Sequence, residues 1–351
     1  MASLSNDRMA VLSPTLDVPR VEDMEARFLA FWRAMRRTMH GRGRKAQLDY
    51  AMERKAKDLA EVALQRRLSQ SGLATVKTEA RPGVIVLARE GGKLSGPTTP
   101  DDVHHLVAAL HAESGWMREV STWIMHQMLQ HVASGGRGLT LPPVILVGPP
   151  GIGKSHYARK LAELAGLPVR MIDVGAGSAG FRISGTEKGW ATAQSGLPVE
   201  TMLATRVANP LMIVDEVDKA GTAHSTRGTS TSLTTSLLQM LEPGTARHFE
   251  CPYLRIPVDM SRVIWIMTAN NLAGIPAPLR DRARLFILPN LSATDAIAHF
   301  DRLTVGCGWE TERDRCRIFI ERMSRRPEGI SLRQIGKLVD ALHGPIAPLY
   351  Q

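Results

Sequence analysis

The sequence predicts an α/β fold, a parallel sheet flanked by helices, with a mainly helical N-terminal region and a C-terminal α-helical lid. Three observations predict it. From Leu141 onward, short apolar runs at 144–147, 169–174, 211–214, 263–267 and 285–288 alternate with helical stretches, the pattern of a parallel sheet with helical crossovers. Directly behind the first run stands a glycine-rich turn ending in Lys154 and Ser155. After Pro289 the strand-like runs stop and only helical periodicity remains.

Length permits this organisation, because 351 residues suffice for one large or two medium domains with their own cores. We divide the chain into 1–100 (helical hairpin, short β-hairpin and linker), 101–290 (the α/β domain with a leading helix) and 291–351 (the lid). The three cysteines, Cys251, Cys307 and Cys316, form no CxxC pair and read as thiols in a reducing compartment. No apolar run resembles a signal peptide or a membrane span, so a soluble, cytoplasmic protein without a membrane partner is expected. The formal net charge is +10, and much of the excess lies between Arg33 and Arg67, at Arg36, Arg37, Arg42, Arg44, Lys45, Arg54, Lys55, Lys57 and Arg66. Such a cluster suits either a solvated helix face or a nucleic-acid partner.

In chain order, Val21, Met24, Phe28, Phe31, Met35 and Met39 recur at spacings of three and four, the period of an amphipathic helix. Leu48, Met52, Ala56, Leu59 and Ala63 repeat that pattern, and the glycines Gly41 and Gly43 between them predict a helical hairpin. Segments 74–80 and 83–89, around Arg81-Pro82-Gly83, are expected to form a β-hairpin. The stretch 91–100, rich in glycine and proline, reads as a linker and marks the main domain boundary. Asp101 and Asp102 then supply the negative charge favoured at a helix start.

The strongest motif is Gly148-Pro149-Pro150-Gly151-Ile152-Gly153-Lys154-Ser155, preceded by an apolar strand and followed by helical sequence. This is a Walker A pattern in the context of a P-loop NTPase sheet. Its glycines allow backbone N–H groups to face phosphate oxygens, and the helix N-terminus adds a favourable dipole. Lys154 is placed to neutralise the β- and γ-phosphates of ATP, and Ser155 to ligate Mg²⁺. Behind the apolar run at 211–214 come Asp215 and Glu216, a Walker B pattern in which Asp215 holds Mg²⁺ through water and Glu216 polarises the attacking water. The run at 263–267 leads to Thr268-Ala269-Asn270-Asn271, where Asn270 sits beyond the carboxyl end of a buried strand, within reach of the γ-phosphate or its water.

Walker A, Asp215-Glu216-Val217-Asp218-Lys219, Thr268-Ala269-Asn270 and Ile275-Pro276-Ala277-Pro278-Leu279-Arg280-Asp281-Arg282 together resemble the AAA+ module of Lon proteases over about 103–342. The resemblance implies that Arg282 is the arginine finger reaching a neighbouring subunit, with Arg280 and Arg284 close enough to share that assignment. It makes Asn270 sensor 1 and Arg333 the sensor 2 candidate. It also places an aromatic pore loop at 185–190, where Trp190 grips an extended polypeptide; a partly buried core tryptophan is the other reading of that residue. The Ser/Thr-rich segment 222–235 is longer than its Lon counterpart. The sequence stops at Gln351, before the point where a serine–lysine peptidase domain is expected, so no proteolysis of its own is implied.

These features give a leading expectation of a homo-oligomeric ring ATPase, six-membered by family resemblance, that remodels a protein substrate and serves a separate protease or complex. An AAA+ machine acting on nucleic acid through the basic N-terminal region is the alternative. A nucleotide-switch scaffold is a third reading, opposed by the joint presence of Glu216, Asn270 and Arg282.

Overall fold

The computed structural model describes residues 5–40, 48–176, 179–187, 193–221, 233–306 and 310–343. The N-terminal part contains β1 (Arg8–Met9), the helices α1 (Val21–His40), α2 (Tyr50–Ser71) and α3 (Arg81–Glu90), and β2 (Gly92–Lys93). The helices α4 (Pro100–Glu113) and α5 (Arg118–Ala133) lead to β3 (Val144–Val147) and α6 (Lys154–Leu164). Next come β4 (Val169–Asp173), α7 (Ala179–Ser184), α8 (Leu197–Thr205), β5 (Leu211–Asp215), α9 (Leu233–Leu241) and α10 (Pro243–Ala246). A small antiparallel pair, β6 (Phe249–Cys251) and β7 (Ile256–Val258), precedes β8 (Ile264–Ala269), α11 (Ala277–Arg282) and β9 (Arg284–Ile287). The lid is α12 (Ala293–Leu303), α13 (Glu310–Ser324) and α14 (Leu332–His343).

The central sheet is parallel and five-stranded, ordered β4-β5-β8-β3-β9. Strand residues alternate between two cores, as the two-residue period of a strand requires. Ile145, Val147, Met212, Val214, Trp265 and Met267 face one core. Val144, Leu146, Leu211, Ile213, Ile264 and Ile266 face the other, which also receives Phe300, Ile320 and Ile335 from the lid. Burial on both faces explains why these strands read as continuous apolar runs.

The N-terminal part differs from the sequence expectation. Over 81–90 the chain is helix α3, not the second strand of a β-hairpin, and 73–75 is a short 3-10 turn. Pro82 stands in the first turn of α3, where its fixed φ favours a helix, and the buried positions Val84 and Leu87 are three apart, a helical spacing. The run at 91–100 is also stitched into the α/β core. β2 pairs with β1, Lys93 N–H donates to Arg206 O at 2.8 Å, and Leu139 N–H donates to Ser95 O at 2.7 Å. The fully buried Asn209 side chain bonds both Ser95 and Leu139. Val11, Leu12, Leu16, Val18, Val84 and Leu87 consequently share one core with β5 and β8.

Candidate nucleotide site

Three neighbouring strands deliver polar residues to one end of the sheet. β3 runs into the loop 148–153, where Gly151 and Gly153 have φ of 80° and 89°, a left-handed geometry that glycine adopts without steric cost. A Cβ would meet Ser331 at Gly151 and Leu332 at Gly153, so the glycines also let the lid approach. Lys154 opens α6 and is buried at 7% exposure. Its Nζ donates to Gly148 O at 2.6 Å, Pro149 O at 2.9 Å and Asn270 Oδ1 at 3.0 Å. Burial holds this amine below the ordinary lysine range, opposed by the Asp215, Asp218 and Glu216 carboxylates.

Ser155 Oγ donates to Asp215 Oδ1 at 2.8 Å. Thr268 Oγ1, from β8, donates to that same oxygen and accepts the Glu216 N–H at 3.2 Å. Glu216 turns off β5 with a φ of 60°, rare for a residue with a side chain. Its Oε1 lies 3.5 Å from Asn270 Nδ2 and its Oε2 pairs with Lys219 Nζ at 2.5 Å. Asp218 fixes the turn after β8 by accepting the N–H groups of Asn270 and Asn271 at 3.2 and 3.1 Å.

These groups open onto a cavity of about 460 Å³ that the lid closes with His299, Leu303 and Arg333. A polyphosphate fits the glycine turn and Lys154, and the hard oxygens of Ser155 and Asp215 suit a magnesium-sized cation. Glu216 and Asn270, in contact at 3.5 Å, both line this cavity, where each can bond a water.

Comparison with known proteins agrees with this geometry. Residues 144–291 match the model of the ATPase family associated with various cellular activities (AAA). The mitochondrial Lon protease homolog of Mus musculus is 33% identical over 184 residues, covering 52% of this chain and 19% of that protein. Lon protease 4 of Sorangium cellulosum is 30% identical over 198 residues, covering 56% of this chain and 24% of that one. The chain therefore spans about a fifth to a quarter of these relatives' length. A closed-state structure of Hsp104 with ATPyS and FITC casein aligns with 92% of this chain and 63% of its own at a TM-score of 0.53 and 18% identity, a likeness of fold. The chain carries a Lon-like AAA+ module, an ATP hydrolase by class.

Within the AAA+ module, Lys154, Ser155, Asp215, Glu216, Asn270 and Arg333 come to one cavity. Arg282 does not. It ends α11 on a different surface, where Nη1 donates to Pro278 O at 3.3 Å and Nε pairs loosely with Glu242 at 3.7 Å. Arg284 lies over the Phe286 ring at 5.5 Å, and both it and Arg280 are exposed. Trp190 and most of the Ser/Thr-rich segment, 222–232, lie outside the described residues. The flanks of the pore-loop position are described: Thr186 N–H donates to Gln194 O at 2.9 Å and Gly185 bridges Ser195, closing the loop at its base.

Sequence reading missed a set of contacts that support this cavity. Trp116 Nε1 donates to Ile152 O at 2.9 Å, bracing the phosphate loop from outside. Arg302 of α12 donates to the terminal carbonyls of α4 at Ala112 and Glu113, both at 2.6 Å. Glu113 Oε1 takes Arg302 at 3.3 Å and the His156 ring at 3.1 Å. Thr268 carried a weak signal, a polar residue closing an apolar strand. The others come from elements far apart in sequence and have no local signature.

Proposed function

We propose that this chain binds and hydrolyses ATP with Mg²⁺ and spends the cycle on unfolding or remodelling protein substrates, as a homo-oligomeric ring in the cytoplasm, six-membered by family resemblance. One observation supports it most: Lys154, Ser155, Asp215, Glu216 and Asn270 converge on one cavity while Arg282 is displayed elsewhere on the surface. A guanidinium outside its own site is what a site shared between subunits needs.

Lys154 exchanges its carbonyl partners for β- and γ-phosphate oxygens. Ser155 and Asp215 hold the cation, which supplies charge neutralisation at the phosphates. Glu216 accepts the hydrogen bond of the attacking water, and Asn270 Nδ2 fixes its position. Arg282 from a neighbour meets charge developing on the γ-phosphate, and Arg333 senses the same group from the lid. Trp190 grips the polypeptide, which a separately encoded protease or complex receives.

The exposed Arg33, Arg37, Arg54, Lys55 and Lys57 on α1 and α2 support the second reading, action on nucleic acid. Steady-state ATPase assays of the full chain separate the two. Stimulation by an unfolded protein and not by single- or double-stranded oligonucleotides is the expected result. The reverse pattern transfers the assignment to nucleic acid.

A further inference from the structure

A second cavity, of about 380 Å³, lies between α2 and α3. Leu64 and Leu68 of α2 and Ile85 and Val86 of α3 supply its apolar lining, and Arg20, Arg81 and Arg89 supply its charge. Among the described residues no carboxylate lines it. Arg89 pairs with Asp17 at 2.9 Å. The Arg81 guanidinium is held by Val76 O at 2.9 Å and Ala74 O at 3.3 Å, bonds that orient it without cancelling its charge. Arg20 is exposed, its backbone N–H donating to Asp23 Oδ2 at 3.4 Å, and no ion pair is formed by the guanidinium of Arg20 or Arg81 among the described residues.

We propose that this groove docks an acidic amphipathic peptide segment of a partner protein. Its apolar side chains would cover Leu64, Leu68, Ile85 and Val86, and its carboxylates would meet Arg20 and Arg81. The volume falls in the range of sites that enclose a small ligand or a few side chains, and an apolar floor with cationic flanks is the complement of an acidic amphipathic helix. Nucleic acid fits less well, since among the described residues no aromatic ring lines the groove for base stacking. Occupancy has a route to the ATPase core. Leu64, Leu68 and Ile85 pack on the cluster that contains Met212 and Val214 of β5, and α3 contacts α8, the helix that precedes β5.

The test needs no ATPase activity, so it stands apart from the remodelling reading. Fluorescein-labelled synthetic peptides are titrated into the full chain and followed by anisotropy. One carries leucines at helical spacing flanked by glutamates, a second has lysines for the glutamates, and a third scrambles the acidic sequence. The acidic amphipathic peptide should bind at least about tenfold more tightly than either control. Arg20→Glu should weaken it about tenfold with basal ATPase unchanged, and Ile85→Trp should abolish it by filling the groove. Should Ile85→Trp fail to fold, Arg20→Glu decides alone. Equal affinity for all three peptides, no binding, or binding untouched by Arg20→Glu overturns the proposal. So does Arg20-dependent binding of a labelled oligonucleotide without binding of the acidic peptide, or a self-association that Ile85→Trp dissolves while the peptide stays unbound.

Discussion

Thr268 shows how closely the two carboxylates of the nucleotide cavity are tied together. Its hydroxyl donates to Asp215 and accepts from the Glu216 backbone, so one buried oxygen positions both the proposed cation ligand and the residue proposed to orient water. Thr268→Val preserves shape and removes both bonds, leaving the Glu216 N–H unpaired at a cost of about 1–3 kcal/mol. The Mg²⁺ concentration giving half-maximal ATPase activity should rise about tenfold, read by titrating the metal at saturating ATP; an unchanged requirement removes Thr268 from the metal's surroundings. The residues of the cavity that the sequence made legible, Lys154, Ser155, Asp215, Glu216 and Asn270, each sit in a local pattern at the end of an apolar strand. Thr268 sits in such a pattern too. Its significance lies in a bond to another strand, which no local pattern encodes.

At the scale of elements, the junction between the lid helix α12 and α4 governs the shape of the cavity. Arg302 satisfies carbonyls at the C-terminus of α4 and brings positive charge to the negative end of its dipole. It also donates to His299 Nδ1 at 2.8 Å. Burial first, then the Arg302 guanidinium, pushes the His299 imidazole down from 6.5 to about 4, against the pull of Glu113. The sign follows from linkage: the unfolded chain takes up this proton at higher pH than the folded one does. The stability linked to a neutral His299 is therefore complete above about pH 6.5 and is lost as pH falls toward 4. Thermal unfolding midpoints of the wild type and His299→Gln should converge progressively across that window as pH falls, by a modest amount because the ring is only partly buried. Parallel pH profiles would show that His299 titrates normally. This junction was illegible in the sequence, because Glu113, His156 and Arg302 meet only once the lid has docked.

At the scale of the whole molecule, the α/β order, the parallel sheet and the helical lid were all legible, since strands buried on both faces leave long apolar runs. The N-terminal region was misread for a physical reason. Glycines at 91–96 suggested a flexible linker, yet a Cβ at Gly92 would lie 2.7 Å from the Ala208 Cβ, and one at Gly96 would lie 2.4 Å from the Leu139 nitrogen. Close packing, not mobility, requires glycine there. Similarly, the β-branched run at 84–86 suggested a strand, while its burial pattern against the core is that of a helix. Deleting residues 1–91 would strip Val11, Leu12, Leu16, Val18, Val84 and Leu87 from a core shared with β5 and β8. Such a truncation should be insoluble or unfold at least about 10 °C below the full chain, given the few kelvin that each lost kcal/mol costs a domain of this size. A truncated chain that melts normally and keeps its ATPase would show that the N-terminal region is dispensable.

The central claim is that ATP is hydrolysed at a site completed by a neighbour's Arg282. In the proposed ring, Arg282→Ala and Glu216→Gln would each leave every interface of a homogeneous assembly defective, so each alone should hydrolyse ATP poorly while still binding it. An arginine finger is worth about three to five orders of magnitude in rate. The decisive measurement is ATPase activity of the two variants mixed across a range of ratios, with subunit exchange followed independently by energy transfer between labelled subunits. If the site is shared, mixing would place some intact Glu216 residues opposite intact Arg282 residues, and activity should rise to a maximum at intermediate ratios and fall away on either side. Subunits that exchange freely while no mixture recovers activity would contradict it.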